Sequence, residues 1–280
     1  MAIPQQAFIH QIFYDERTRA QLDPGFLPLD NTANLRPDWS EYWPIRHFFL
    51  ANTFVRDAGY GFLSPKFGAK TGLTAADVHR FIAEEEADVF LFSPWLDQSA
   101  AVLNVFEQAA VHGRGVPALC AHVLGQLAPG SDALRLVMDS RQVVFCNFFV
   151  ARPAFWQRWF SLCEPVFRLC EAGDSPLAAQ LRTLVPHDGR SNEAKVFLIE
   201  RVASFILATE SRWKVRAYDP ARLPLSKTPI AGRETLMQLD ALKRAWRTDG
   251  NPEHLRAYRG LRASLTGPLR PPAAVFDTPR

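Results

Sequence analysis

Cysteine is scarce in this sequence, and its four copies form no recognisable pair. Cys120, Cys146, Cys163 and Cys170 show no CxxC spacing, and no pair of histidines stands near them. Nothing in this spacing indicates a metal or dithiol motif. Each cysteine has apolar neighbours, so we expect all four to be small core residues in a reducing compartment.

Long apolar runs and an export signal are also lacking. No stretch approaches the roughly 18 consecutive apolar residues of a membrane-spanning helix. The opening MAIPQQAFIHQIFYDERT has no basic region before its short apolar part, and acidic residues follow directly. We therefore expect no signal peptide and a cytoplasmic protein.

Motifs of several common enzyme classes are missing. The chain has no GxGxxG after a strand, no GxxxxGK[ST], no HExxH and no GxSxG, and its seven histidines show no ligand spacing. These absences disfavour dinucleotide oxidoreductases, P-loop enzymes, zinc proteases and serine hydrolases.

The sequence does contain a large apolar and aromatic complement. Of its 280 residues, 48% are apolar and 22% charged, which is typical of a soluble globular protein of one large domain, or one domain and a subdomain. The 21 Phe and 7 Trp predict a large core or a stacking surface. The net charge of +3 is too small to indicate nucleic acid as a partner, and we expect none.

Short strand-like runs alternate with helical segments, which predicts an α/β protein. The predicted strands are residues 7–14, 60–67, 87–96, 135–140, 142–151 and 213–219. Helices are predicted at residues 71–85, from Pro153 onward, and at 193–209, 232–247 and 252–264. Pro153 suits a first helical position, because the N–H that proline lacks has no partner there.

Short motifs within residues 3–219 resemble those of glycosyltransferases. The stretch AIPQQAFIHQIFYDE resembles the IPKIIHQIW first strand of bacterial and fungal enzymes of mannosyltransferase type, and RPDWSEYW resembles their PDWEYxLW stretch. A second resemblance lies in the order of several motifs, which is similar to that of bacterial polysaccharide-locus proteins identified as glycosyltransferases. Those motifs are LDNTANLRPDWSEYWPI, YGFLSPKF, EQAAVHGRGVPALCAHVL, FCNFFVARPAFWQRWF and KVFLIERVASFIL.

The resemblance implies a GT-A-like fold, a Rossmann-related mixed sheet flanked by helices. It implies a nucleotide-sugar-binding and catalytic domain at residues 1–220, followed by a helical, basic, Pro-rich C-terminal extension at 221–280. The implied function is transfer of a sugar from a nucleotide-sugar donor to a glycan or lipid-linked acceptor in bacterial surface polysaccharide synthesis. The alternatives are a non-catalytic nucleotide-sugar-binding or assembly subunit of a polysaccharide machine, and an unrelated nucleotidyltransferase.

The sequence departs from the GT-A pattern because it has no DxD pair to hold a divalent metal on the diphosphate. A single acid, Asp97 in SPWLDQ, stands where such a pair would lie. Manganese, magnesium and no metal at all stay open as alternatives. Without a metal, the departing diphosphate needs cationic or dipolar protein groups.

The predicted donor-binding residues are turn residues that would hold the base or ribose, cations for the phosphates, and side chains of two strands. They are Asp30, Asn31 and Asn34; Arg36 and Lys66; and Gln11 and Tyr60. The turn residues equally suit Asx turns, and the cations equally suit an exposed surface.

Three carboxylates are candidates for catalysis: Asp97, Asp139 and Glu200. Asp97 follows an apolar strand, at whose carboxyl end ligands of open α/β sheets bind, but it also suits a helix cap. Asp139 suits a general base or a turn toward Arg141. Glu200 lies in a helix that is apolar on nearly every side, so it needs a partner such as Arg201 or a shifted pKa.

Asn147 stands inside an apolar predicted strand, where its amide needs a partner. We expect it at the floor of a sugar pocket, where an amide both donates to and accepts from hydroxyls; the alternative is a bond to a neighbouring loop. The other residues predicted on the acceptor side are Trp95, by stacking, and Gln98 and Arg201.

Positive charge is concentrated at the C-terminal end. Residues 231–280 contain nine Lys or Arg and five acids, a balance of +4, which leaves −1 for the first 230 residues. Such a charge run suits a solvated helical face. It also suits peripheral contact with the anionic inner membrane, which we predict for residues 231–270.

Overall fold

A computed structural model of the chain describes residues 6–187 and 189–265. The strands are β1 (Ala7–Phe13), β2 (Leu27–Asp30), β3 (Gly59–Leu63), β4 (Val89–Leu91), β5 (Phe149–Ala151), β6 (Leu184–His187), β7 (Arg190–Glu193) and β8 (Val215–Ala217). The helices are α1 (Glu16–Arg19), α2 (Tyr42–Ala51), α3 (Phe67–Thr71), α4 (Ala75–Glu84), α5 (Leu96–Ala100), α6 (Val105–Gln108), α7 (Val116–Leu127), α8 (Pro153–Ala172), α9 (Pro176–Leu181), α10 (Ala194–Thr209), α11 (Arg233–Asp249) and α12 (Pro252–Ala263). Short 3₁₀ turns lie at Pro37–Trp39, Ala109–Val111, Ala133–Arg135 and Pro220–Arg222.

One mixed sheet has the strand order β2-β1-β3-β5-β4-β8, while β6 and β7 form a separate hairpin. β5 is antiparallel to both its neighbours, and the other pairs in this sheet are parallel. The carboxyl ends of five strands and the amino end of β5 therefore meet at one edge, called here the carboxyl edge. The chain moves from β1 to β2 on one side and returns to β3 on the other, a switch point of the kind that binds ligands in α/β sheets. The α/β class expected from the sequence is confirmed.

The core lies on both faces of this sheet, because successive side chains of a strand point to opposite faces. Val89 and Leu91 of β4 belong to the cluster that includes buried residues of α8 and α10. Phe90, between them, belongs to the cluster that includes buried residues of α3 and α4. Each face of the sheet is thus covered by helices, and the carboxyl edge lies between the two layers.

One predicted strand is absent from the structure, and the other five are shorter than predicted. Residues 135–140 form no strand; there the carbonyl of Val137 accepts from Arg247, and Asp139 accepts from the Arg141 backbone, so side chains replace ladder partners. The strand predicted at 142–151 is limited to β5. Cys146 and Asn147 have φ of 58° and 52°, a left-handed conformation that cannot continue a strand, so Asn147 lies in the turn before β5.

The C-terminal helices α11 and α12 pack against the segment that follows β4. Leu236, Leu239 and Tyr258 are buried together with Leu96 and Ala100 of α5. Within the described ranges, no helix combines the length and the apolar character that crossing a membrane requires. The predicted extension and the predicted membrane contact both run past residue 265, and those last residues lie outside the described part, as do residues 1–5.

Candidate active site

Strained backbone is concentrated at the carboxyl edge. Trp95, after β4, has a φ of 65°, and Cys146 and Asn147, before β5, are also left-handed. The Oγ of Ser93 accepts from the backbone N of Phe145 at 2.9 Å, which joins the end of β4 to the turn before β5. Side chains other than glycine rarely adopt this conformation, and residues that do so are often found at functional sites.

Five ionisable side chains near this strained turn are linked by electrostatic interactions; we call them the edge cluster: Tyr14, Glu41, Lys70, Cys146 and Glu200. They come from the end of β1, the start of α2, α3, the turn before β5, and the middle of α10. Each is half-buried, so the cluster is set among protein atoms and still reaches solvent.

Glu200 is the member whose environment is least ordinary. Ser204, one turn further along α10, accepts a hydrogen bond from the backbone N of Val144 at 2.8 Å, so this face of the helix is turned toward the strained turn. Across residues 6–187 and 189–265, the Glu200 carboxylate has no hydrogen bond or salt bridge. Burial, reinforced by the negative charge of Glu41, raises the pKa of Glu200 to about 7, although Arg201 and Lys70 oppose the rise.

Arg201 does not form an ion pair with Glu200, which was one of the two alternatives that the sequence allowed for this carboxylate. Its guanidinium donates to the carbonyl oxygens of Val105 and Phe197 at 2.9 and 2.8 Å, and to Oε1 of Gln108 at 2.7 Å. Gln108 in turn donates to Oε1 of Gln98 at 3.2 Å. Arg201 and Gln98, both predicted on the acceptor side, are thus linked through one buried glutamine.

Lys70 supplies positive charge to the edge cluster. Its Nζ donates to the Sγ of Cys146 at 3.0 Å and lies 5.2 Å from the ring centroid of Trp95. Burial acts to lower the pKa of Lys70, but Cys146, Glu41 and Glu200 raise it overall. Burial raises the pKa of the Cys146 thiol to about 11, so at neutral pH a protonated thiol lies beside a charged lysine.

Asp97 and Asp139, the other predicted catalytic carboxylates, are fully buried and bonded within the protein. Oδ1 of Asp97 accepts from the backbone N of Ser226 at 2.9 Å, and its Oδ2 accepts from the Ser226 hydroxyl. Asp139 accepts from Nη2 of Arg141 at 2.7 Å, and Nε of Arg247 lies 3.8 Å away. Burial acts to raise the pKa of Asp139, but Arg141 lowers it overall.

Gln11 and Tyr60, two of the predicted donor-binding residues, lie at different places on the sheet. Gln11 is buried at the switch point, where Nε2 donates to the carbonyl of Ser64 at 3.3 Å and Oε1 accepts from the N of Asp23 at 2.9 Å. Tyr60 lies near the amino end of β3, and its hydroxyl accepts from the N of Val55 at 2.9 Å. Tyr60 is therefore on the edge opposite the edge cluster.

The two predicted phosphate partners differ in how their charges are used. Arg36 donates to both oxygens of Asp38, at 3.0 and 2.9 Å, and to both oxygens of Glu171, at 2.6 Å each. Lys66 is exposed just before α3 and has no salt bridge in the part of the chain that the structure describes. Of the two, Lys66 has the ammonium that is available to a ligand.

The turn residues Asp30, Asn31 and Asn34 lie together in a groove between the end of β2 and helix α2. This α2 groove has a volume of about 430 Å³. It is lined by residues 29–35 and by Trp43, Pro44, His47, Phe48, Ala51 and Asn52. Glu41 of the edge cluster is the N-cap of α2, so the groove and the cluster share this helix.

Asn147 and Ser64 have buried oxygen atoms that lack partners. Oδ1 of Asn147 and Oγ of Ser64 make no hydrogen bond within the described ranges. Ser64 directly follows β3 and Asn147 lies in the turn before β5, so both stand at the carboxyl edge. Unsatisfied buried polar groups need an explanation such as an ordered water or a ligand.

The described residues do not fit the divalent metal of GT-A enzymes. No three His, Cys, Asp or Glu side chains among them come together as metal ligands. Asp97, which stands where a DxD pair would lie, has both oxygens occupied by Ser226.

Sequence reasoning found Glu200 of the edge cluster, and Trp95 and Asn147 at the same edge, but it did not place Tyr14, Glu41, Lys70 or Cys146 in a site. Lys70 and Tyr14 lie shortly after two parallel strands, so a search of every strand's carboxyl end would have found them. Glu41 stands in RPDWSEYW, one of the stretches that carry the resemblance. No family model, curated protein or solved structure matches the chain.

Proposed function

We propose that this protein is a glycosyltransferase with a GT-A-like fold, which transfers a sugar from a nucleoside-diphosphate donor to a hydroxyl of a glycan or lipid-linked acceptor in bacterial surface polysaccharide synthesis. One observation supports this most: Glu200 is a carboxyl group without a hydrogen-bonding partner in the described protein, at the carboxyl edge, beside Lys70 and Glu41. The mixed sheet with its switch point between β1 and β3 agrees with nucleotide binding at this edge.

In the proposed reaction, Glu200 is the general base. The acceptor oxygen attacks the anomeric carbon while its proton passes to the Glu200 carboxylate. The bond from the anomeric carbon to the phosphate oxygen breaks, and its electron pair leaves with the diphosphate. A base whose pKa lies near the working pH is suited to this transfer, and the pKa of Glu200 is about 7. A single displacement of this kind inverts the anomeric carbon.

Lys70 and Glu41 take the electrostatic roles. The Lys70 ammonium stabilises the negative charge that develops on the leaving diphosphate, as cations do in phosphate sites. Glu41 stabilises the positive charge at the anomeric carbon. Trp95, whose ring lies beside Nζ of Lys70, offers a face for stacking.

The test is turnover of UDP-, GDP- and CMP-sugars with Mn²⁺, with Mg²⁺ and with chelator. We expect Glu200→Gln to lower kcat by roughly 10²- to 10⁴-fold without lowering the melting temperature, because the amide keeps the shape and loses the base. Glu210→Gln, at the C-cap of the same helix, is the matched control. Glu210 accepts from Arg158 Nε at 2.5 Å and from Arg212 at 2.9 Å, so its loss should change stability and not kcat. Equal turnover in wild type and Glu200→Gln would contradict the proposal.

A second function, a non-catalytic nucleotide-sugar-binding or assembly subunit, is favoured by one observation. Asp97 and Asp139, two of the three carboxylates that the sequence offered for catalysis, are both engaged by protein groups. Calorimetric binding of a nucleotide sugar, with no turnover under any of the metal conditions above, would establish this second function instead.

We propose in addition that the protein works in the cytoplasm and touches anionic lipid through the exposed side of α12. Arg256 and Arg259 are exposed there. The remaining basic side chains of the C-terminal helices largely bond within the protein: Arg233, Lys243, Arg244, Arg247 and Arg262. Any such contact therefore depends on few charges and should be weak.

A further inference from the structure

The α2 groove has the size and composition of a ligand site. Its volume of about 430 Å³ falls within the range of small-molecule pockets. One wall is aromatic and belongs to α2, and the other is polar and belongs to the turn after β2. The two walls have different chemistry, and together they restrict the class of ligand.

The aromatic wall offers apolar ring surface and a free indole N–H. Trp43 is half-buried, and its ring lies 6.5 Å from that of His47 at 29°, a stacked arrangement. Within residues 6–187 and 189–265, the indole N–H of Trp43 donates no hydrogen bond. Phe167 also stacks against this ring at 6.4 Å and the Arg36 guanidinium lies 5.8 Å from it, so a ligand reaches only the part of the indole that lines the groove, together with its free N–H. That part suits a ligand that is apolar on one face and carries hydroxyls at its rim.

The polar wall has both donors and acceptors. Oδ1 of Asp30 accepts from the N of Thr32 at 2.8 Å, and Nδ2 of Asn31 donates to Oδ1 of Asn34 at 3.4 Å. The Thr32 side chain also bonds to Asp30, whose carboxylate has further acceptor positions, and the amide nitrogen of Asn34 is unused within the described protein. A carboxylate and an amide can together accept from and donate to neighbouring hydroxyls.

The charge and the polarity of the groove exclude two other ligand classes. No lysine or arginine is among the side chains that line the groove, so it lacks the cations that a diphosphate needs. An acyl chain would leave the polar wall desolvated and unpaired. A neutral sugar ring satisfies both walls, because its C–H face packs on the indole while its hydroxyls bond to the turn.

We propose that the α2 groove binds a neutral carbohydrate, and that this carbohydrate is the acceptor glycan. The second part rests on the proposed function. Helix α2 begins directly after Glu41 of the edge cluster, so a glycan lying along α2 extends toward Glu200. The turn residues predicted from the sequence to hold the donor would then hold the acceptor.

A glycan array of neutral, acidic and amino sugars, probed with labelled full-length protein, identifies a ligand whose affinity is then measured by saturation-transfer NMR. We expect neutral oligosaccharides to bind, and Trp43→Ala to weaken binding at least about tenfold. Trp43 also packs against the core, so Trp43→Phe and the exposed Asp30→Asn are the milder variants, each expected to weaken binding several-fold. Leu50→Ala is the matched control, since Leu50 is 62% exposed on the same helix and does not line the groove.

The outcomes separate this inference from the proposed function. The inference is overturned if no neutral glycan on the array binds, or if Trp43→Phe and Asp30→Asn bind as tightly as Leu50→Ala. Glycan binding through Trp43 without turnover of any donor would keep the groove and refute the transferase. Sugar transfer whose acceptor KM is unchanged in Trp43→Phe and Asp30→Asn would keep the transferase and refute the groove.

Discussion

Glu200 in the edge cluster is half-buried and Asp139 under the C-terminal helices is fully buried. Burial acts to raise the pKa of both carboxyl groups, but their surroundings differ. Asp139 has two arginines within 4 Å, and the Arg141 bonds hold its pKa below the usual range against the effect of burial. Glu200 has a second carboxylate nearby and no hydrogen bond within the described residues, and its pKa rises to about 7. Burial alone therefore does not identify a functional acid; what matters is whether the protein already supplies its partners.

The lysines of the two regions show the same contrast. Lys243, under the C-terminal helices, is fully buried and donates to the carbonyls of Ser99 and Val102 at 2.7 and 2.9 Å. Lys70 is half-buried, contacts the thiol of Cys146, feels the charges of Glu41 and Glu200, and keeps access to solvent. One lysine holds a helix in place, and the other has charge available for a ligand.

The largest stability effect is expected at Asp139. Asp139→Asn removes the charge that pairs with Arg141 and Arg247 and should lower the free energy of unfolding by about 3 kcal/mol, measured by urea denaturation at pH 7. Its kcat in the transfer assay should not change. Glu253→Gln, an exposed acid on α12, is the control and should have little effect. Loss of activity at unchanged stability would place Asp139 in the active site and break the contrast.

Glu200→Gln should raise the free energy of unfolding, whereas Asp139→Asn lowers it, and the gain should appear in a defined pH window. The pKa of Glu200 rises from 4.5 to about 7 on folding, so the folded state binds more protons between these values, and the wild type loses stability as pH rises through them. At pH 8 the variant should be more stable than the wild type by about 3 kcal/mol, relative to their difference at pH 4. Asp139, whose pKa is lowered in the folded state, contributes stability that is lost only as the pH falls below its usual pKa. A variant less stable than the wild type at pH 8 would show that Glu200 has a structural partner.

A smaller effect is expected where Asp97 meets the C-terminal segment. Ser226→Ala removes the hydroxyl donor but keeps the backbone N–H bond to Asp97. A hydrogen bond to a buried charge of this kind contributes about 2 kcal/mol, which a chemical denaturation curve resolves. Unchanged stability would mean that the Ser226 hydroxyl is not a stabilising partner of Asp97, so that Asp97 would differ less from Glu200 than we propose.

The smallest stability change is expected on the outer face of α12. Arg256→Gln combined with Arg259→Gln should alter the free energy of unfolding by less than about 0.5 kcal/mol, because exposed ion pairs contribute little. The same variant should reduce co-sedimentation with anionic vesicles at low salt. A wild-type protein that ignores such vesicles would contradict the membrane contact.

Local sequence signals located part of the fold well. The first strand was expected at 7–14 and is Ala7–Phe13, and Pro153 does begin α8. Helix α4 begins after Thr74, which forms a capping box with Asp77. Each of these depends on residues within one turn or one strand of each other, so the sequence pattern contains the whole signal.

Features made by distant residues were not predictable in this way. Cys146 and Asn147 adopt a left-handed conformation that is usually found at glycine, and no local sequence pattern predicts it. Arg201 directly follows Glu200, yet consecutive helical residues point about 100° apart, so the two side chains have different neighbours. Lys70 stands 130 positions before Glu200 in the chain, and only the fold of the sheet brings the two into one cluster.

The most direct test of the central claim, that Glu200 is an unpaired base at the carboxyl edge, is the pH dependence of kcat/KM for sugar transfer in wild type and Glu200→Gln. The expected wild-type profile rises with an apparent pKa of about 7, and the residual activity of the variant lacks that limb. The same limb in Glu200→Gln, or a wild-type profile that is flat around neutral pH, would contradict the account.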